Sequence, residues 1–434
     1  MNWLILLYGI TNGLSRGVAL LYTPLLSGWL GLDDFGLFVL VQTGGQVLVG
    51  LLSLNGGTAV LREGAIDQKL GIRVFLQFAA VTMLLGTGLY LVTRTLDATR
   101  LQWLSFLVAI GLSESLQNLA ATWLRSRDAN AWFIGSALTK AVCTLLLVLW
   151  ARHQNWGLRE LFQGQLLIGA VLVGIPVAAA AALQRRDRNT AVVMPAFCGL
   201  LAYSLPLIPH SIGQWVISGS DRFVIKWIHG DAAVGVYSLA YTAGMVVLIL
   251  NTGLGMVLPQ EIVRHYEEWK TGPRRRQLIV VYSIATVAVL GLMFTALELD
   301  CRYFHMTGCN DPSLPLMVGL IGAGLYCHGL YYIYGNFYFY HRATGQLAVQ
   351  TVAAAMVNVA LTLLLVPWLG PLGAAISTLV TYLVYLGAVV FGLRKLEPQV
   401  LSLFSQDLGL VAGPAFSIGL VGWCLMLSRG LIPA

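Results

Sequence analysis

An all-α polytopic membrane fold is what this sequence predicts, and three observations predict it. Hydrophobic residues fill 57 % of the 434 positions and charged residues 10 %, where a soluble domain carries about 25 % charged residues. The mean hydropathy of +0.76 points the same way. The apolar residues are also gathered into continuous runs near the roughly 20 residues with which a helix crosses hydrocarbon. These runs lack the alternation of a porin strand, so a β-barrel is excluded. Only short polar connections separate them, which leaves no room for a soluble catalytic domain.

The first run follows Met1, Asn2 and Trp3 and reaches about Leu26. It lacks the basic start and short core of a cleaved signal, so it reads as a retained span. Runs at roughly 36–57, 72–93, 102–122, 131–150 and 161–183 complete a first six-helix lobe, 1–190. A second lobe, 191–396, has six more at roughly 193–218, 233–258, 278–298, 314–339, 346–368 and 372–393. A thirteenth run, 408–428, has no counterpart in the first lobe. Its glycines and Pro414 are tolerable in a bundle, and 397–434 is expected to be an appended span.

The two lobes are expected to be related by a pseudo-two-fold. A shift of 199 positions lays Gly230, Gly235, Leu239, Thr242 and Gly244 over Gly31, Gly36, Leu40, Thr43 and Gly45. The offset is nearly half the chain and the match falls at the first helix–helix connection of each half, as an internal duplication would have it.

Charge sets the orientation. With a cytoplasmic N-terminus the inner connections hold sixteen Lys and Arg, among them Arg62, Arg185, Arg186, Arg274, Arg275 and Arg276, and the outer ones with the C-terminus hold eight. That bias predicts N-in insertion into a bacterial inner membrane. The net charge of +7 belongs to the same loops, which suits anionic membrane lipid rather than nucleic acid. The chain is expected to be a monomer. The six cysteines form no CxxC, so a zinc or iron–sulfur site has nothing to stand on. Cys301 and Cys309 share the outer 299–313 loop, where a disulfide and two unpaired thiols are both open readings.

No phosphate-binding loop, zinc-protease helix or nucleophile elbow is present, so neither enzyme chemistry nor a cofactor is expected. The chemistry must lie in polar residues inside spans, which face a cavity or each other because lipid cannot solvate them. Arg16 stands in the middle of the first run with Tyr8, Asn12 and Thr23 on its face. It could grip a phosphate or pyrophosphate with its fork, or neutralise Glu114. Glu114 shares a helix face with Gln117 and Asn118. It could carry a proton or be a fixed partner of Arg16 or Lys140. In the seventh run Ser211, Gln214, Ser218 and Asp221 make a polar stripe after Pro206 and Pro209, which suits either a gated cavity or a kink used only for packing. The tenth run ends in tyrosines. Tyr331 and Tyr332 with Asn336 could hold sugar rings or polyprenyl, whereas the tyrosines nearest Arg342 read as bilayer-interface residues. Trp29, Trp103, Trp150, Trp156, Trp227 and Trp368 lie near span ends and read the same way.

Several of these stretches also carry a family resemblance. Gly31, Asp34, Phe35 and Gly36, then a glycine-rich turn before Arg62, then Asp221 with Gly235 and Tyr237, then Asn358, Pro367, Gly370, Gly373, Ala374 and Ala375 stand in the order and spacing of one family. Over about 1–393 the chain resembles the bacterial polysaccharide transporters, the lipid-linked oligosaccharide flippases of the MATE-like MOP superfamily. The resemblance implies two six-helix lobes around a central cavity that opens alternately to either side. It implies a polyprenyl-pyrophosphate-linked oligosaccharide as substrate, with cavity cations holding the anionic linkage, a role that maps onto Arg16 and Lys140. Passing contact with a polysaccharide polymerase machinery belongs to the same picture. A multidrug or cation antiporter of the superfamily and a non-transporting scaffold are the competing readings. The thirteenth run departs from the even helix counts of the family.

Overall fold

Helix is the only regular secondary structure among the described residues of the computed structural model. Described are residues 3–95, 102–127, 129–186, 197–271, 273–303, 311–341, 343–400 and 403–407, with isolated positions up to 424; over most of 3–21, and at a few helical positions elsewhere, the backbone alone is described. The helices are α1 Trp3–Leu52, α2 Gly56–Ile66, α3 Gln68–Thr95, α4 Gln102–Ser126, α5 Asn130–His153, α6 Leu158–Arg186, α7 Phe197–Ser204 and α8 Ile208–Gly219. They continue with α9 Asp221–His229, α10 Asp231–Gly244, α11 Val247–Arg264, α12 Tyr266–Thr271, α13 Pro273–Tyr303, α14 Leu314–Tyr340, α15 Thr344–Leu369 and α16 Pro371–Leu393.

Nine helices among the described residues are long and apolar enough to cross a membrane, ten if one bent pair is a single span. The protein is therefore an all-α, multi-pass membrane protein. Its spans are more interrupted than apolar run length suggests. Gly31, at φ 78 and ψ 170, breaks α1 into two helices, in a region of backbone space that is essentially reserved for glycine. The second run stops at Leu52, and Leu54 and Asn55 turn left-handed before α2. The seventh run, expected as one bent helix, is α7, a 3-10 turn at Leu205–Leu207 and α8. Pro206 cannot donate to the helix ladder, while Pro209 sits in the first turn of α8, where no donor is needed. The eighth run, expected to be continuous, is α10 and α11 meeting at 55°. The thirteenth lies mostly outside the described residues.

The chain divides into two compact units, one of residues 37–215 and one of 1–36 with 216–434. In the first, Phe75 stacks on Trp123 at 5.1 Å inside a core with Phe78, Leu119 and Val60. Helices α5 and α6 leave most of their apolar surface exposed, Trp132, Leu146, Leu167 and Ile175 among it, as lipid-facing helices do. In the second unit α14 is apolar on every side and almost wholly buried, the position such a helix takes. It packs against α16, α11 and α10. Polar pairs join α15 to α16, with Asn358 donating to Thr381 at 3.2 Å and Thr362 meeting Ser377 at 2.8 Å.

Candidate functional site

Within the unit of 37–215, α4 gathers polar side chains at helical spacing. Glu114 lies 3.1 Å from Lys140 Nζ on α5, with the two side chains 26 % and 43 % exposed. Of the two partners open to Glu114 in the sequence, the structure shows Lys140. Gln117 donates to Ser113 at 3.0 Å, and Gln42 on α1 donates to Gln165 on α6 at 2.5 Å. Close packing is possible here because Gly169 is bare: a Cβ at that position would collide with the Ser113 hydroxyl. The half-exposed pair and the surrounding amides make a polar region in the middle of apolar helices, which needs water or a polar ligand to be tolerable. The two interrupted runs of this unit also meet, since Asn55 Nδ2 donates to Ser211 Oγ at 3.1 Å.

In the other unit, Asp221 opens α9 and is fully buried. One carboxylate oxygen accepts from the Arg222 backbone N–H at 2.9 Å and from its guanidinium at 3.2 Å. The other accepts from the Tyr237 hydroxyl, which also lies 3.4 Å from Thr378 Oγ1. Arg222 donates to Ser218 O at 3.0 Å and lies over the Tyr241 ring at 4.2 Å. The stripe read as Ser211, Gln214, Ser218 and Asp221 is thus divided: the first three are on α8 and Asp221 begins α9. Sequence reasoning found Asp221 but not its bond to Tyr237, although Tyr237 stands in the quoted glycine and tyrosine motif.

The tyrosines of α14 are packing residues to a greater extent than expected. Tyr331 is buried and stacks on Tyr385 at 4.6 Å, and Asn336 is buried and donates to Tyr332 O at 2.6 Å. Tyr332 is partly exposed and tilts against His328 at 5.1 Å. Tyr338, expected at the bilayer interface, is instead fully buried and donates to Val389 O at 2.9 Å. Trp227 and Trp368, at helix ends, are 80 % and 85 % exposed.

Asn12 and Arg16 lie on α1, but their side chains are outside the described residues, as are those of Cys301 and Cys309. Among the described residues no group of histidines, cysteines and carboxylates could hold a metal ion. A polar corner missed by the sequence reading lies at the ends of two spans, α13 and α14. Buried Arg275 pairs with buried Asp407 at 2.7 Å, Tyr334 donates to the same carboxylate at 2.9 Å, and Lys270 pairs with Glu397 at 2.9 Å. Burial pushes the Glu397 carboxyl above its ordinary range. Burial and the nearby Lys270 charge pull His341 below its own.

Residues 2–260 match the model of a family described as "Polysaccharide biosynthesis protein". No curated protein matches the chain in sequence. Among solved structures the chain is similar to "Lipid II flippase MurJ, inward closed conformation", with 12 % identity and a TM-score of 0.69 over 98 % of each chain. It is also similar to an inward-facing multidrug resistance MATE family transporter of the MOP superfamily, with 14 % identity and a TM-score of 0.63 over 91 % of this chain and 99 % of that one. An outward-facing transporter of the same description matches with 16 % identity and a TM-score of 0.61 over 92 % and 96 %. At such identities the likeness is one of fold.

Proposed function

The chain belongs to the polysaccharide biosynthesis protein family, within the MOP superfamily of membrane transporters, and we propose that it is a flippase for a lipid-linked oligosaccharide. Its cargo is a polyprenyl-pyrophosphate-linked O-antigen or exopolysaccharide repeat unit. The cargo passes from the cytoplasmic to the periplasmic leaflet of a bacterial inner membrane by alternating access. Two six-helix lobes, 1–190 and 191–396, stand in pseudo-two-fold relation around a central cavity, with 397–434 appended, the N-terminus inside and the protein monomeric. It is not an enzyme, and its passing partner is the polymerase machinery.

The observation that carries this reading is the charge balance of the polar spans. Glu114, the clear acid inside a span, is engaged by Lys140, and Asp221 at the start of α9 by Arg222, so both carboxylates are matched and Arg16 adds a further cation. A surplus of positive charge suits a pyrophosphate, whose oxygens an arginine can hold in pairs. Lys140, partly exposed, and Tyr332 are the next candidates to meet the headgroup and the sugars, with Gln214, Asn12, Tyr331 and Asn336 around them.

A second reading, a cation or drug antiporter, is favoured by the fully buried carboxylate of Asp221 bonded to Tyr237, a group that could exchange a proton. Complementation separates the two. Expressed in a strain that lacks its own flippase, the chain is expected to restore surface polysaccharide. Failure to do so at normal membrane abundance, together with raised tolerance to cationic drugs, would select the antiporter; failure without that tolerance would leave the scaffold role.

A further inference from the structure

The connection that opens each half of the chain does more than turn it. Gly31 and Gly230, 199 positions apart, have nearly the same backbone, φ 78 and ψ 170 against φ 82 and ψ −175. Each is followed by a helix start with acidic residues, Asp33 and Asp34 in one and Asp231 in the other, which suit the positive end of a helix dipole. These two helix starts lie directly against one another. A Cβ on Gly36 would collide with the carbonyl oxygen of Asp231 and stand 3.0 Å from Gly235 N. A Cβ on Gly235 would collide with the carbonyl oxygen of Leu32. Under the same offset Asp231 corresponds to Leu32 and Gly235 to Gly36, so the contact is reciprocal.

Backbone therefore meets backbone with no side chain between, and both glycines are buried. Phe35 and Val234, which also correspond, are buried beside them at 1 % and 0 % exposure. Such a crossing is dense enough to exclude water. Backbones that approach this closely at glycine gain dispersion and weak Cα–H···O contacts, which are short in range and individually weak. Tight closure and easy parting are the two properties a gate needs. Within the second connection Lys226 pairs with Asp231, and His229 meets Val366 O at 2.9 Å.

We propose that the reciprocal Gly36–Gly235 crossing is the outer seal of the transport route, closed in this structure and parted when cargo leaves. The proposal rests on the transport reading and on the N-in orientation, which puts both connections outside. It makes a side chain at either glycine a wedge that holds the seal open.

The test introduces a thiol just inside the seal by Ser238→Cys, a near-isosteric change at a buried position one turn beyond Gly235, with every native cysteine except Cys327 replaced. A membrane-impermeant maleimide added outside should react slowly when both glycines are native. Adding Gly36→Leu or Gly235→Leu should raise the rate about tenfold, the size of a modest population shift, while buried Cys327 stays unreacted. If Cys327 also reacts, the leucine variants have unfolded and Gly36→Ala with Gly235→Ala decide by the same comparison. An unchanged rate at the introduced thiol in folded wedge variants overturns the seal. Because labelling needs no cargo, the rate tests the seal alone; absence of polysaccharide export by the protein with both glycines native would count against the flippase reading and leave the seal standing.

Discussion

Arg16, inside the first apolar run, and Asp221, buried at the start of α9, make opposite predictions. Asp221 is held on both oxygens by Arg222 and Tyr237, so its first role is to anchor α9 and α10. Replacing it by alanine leaves Arg222 buried without its carboxylate and is expected to destabilise by about 3–5 kcal/mol. Tyr237→Phe removes one hydrogen bond to a charged group and should cost about 1.5–3 kcal/mol. Melting of the detergent-solubilised protein measures both, and a Tyr237→Phe variant that melts normally while losing export would reveal coupling rather than anchoring. Arg16 should behave the other way. Arg16→Ala is expected to insert at normal abundance yet abolish export, and Arg16→Lys to keep part of it, since charge survives without the bidentate fork. Because Glu114 already has Lys140 at 3.1 Å, Arg16→Ala combined with Glu114→Ala should not rescue export. Full rescue by that double variant in the complementation assay would return Arg16 to a structural role.

Among the elements, the interruptions are the informative part. Two glycines of α1 separate backbone strain from packing. Gly31 has a positive φ, and a Cβ there would meet nothing within 4 Å, so Gly31→Ala should cost about 1–3 kcal/mol through conformation alone. Gly28, three residues earlier in ordinary helix, also has open space around it. Gly28→Ala should therefore be neutral or stabilise by about 0.4–1 kcal/mol. Equal effects at the two positions, read from melting curves, would mean that the break at Gly31 is not maintained in the membrane. The corner at the ends of α13 and α14 has a different logic. Arg275 and Asp407 are 3 % and 0 % exposed, so Asp407→Ala should cost about 3–5 kcal/mol by stranding the guanidinium. Arg274→Ala, at a half-exposed pair with Glu268, should change stability by no more than about 1 kcal/mol. Their melting temperatures should differ accordingly.

At the scale of the whole molecule the prediction is topological. Reporters fused within 185–190 and 264–276 should read cytoplasmic and those within 299–313 periplasmic, because basic connections resist translocation. A reporter after Ala434 should read periplasmic if 408–428 crosses; a cytoplasmic result there removes that span. The membrane class and most of the spans were legible in the sequence alone, whereas the positive φ of Gly31, Gly230 and Gly370 was not. Class and spans both follow from a local property, since about twenty apolar residues need lipid wherever they sit. Pro206 likewise announced the break after α7. What the tertiary structure decided depends on which helices become neighbours. It set Lys140 beside Glu114, buried Tyr331 and Tyr338 among neighbouring helices rather than at sugar or headgroups, and joined Asp221 to Tyr237 across a turn. It also bent 233–258 with no proline to signal it. Helical spacing says which side chains share a face, but the partner of that face is set by packing between segments far apart in the chain, and nothing in the local sequence fixes which segments those are.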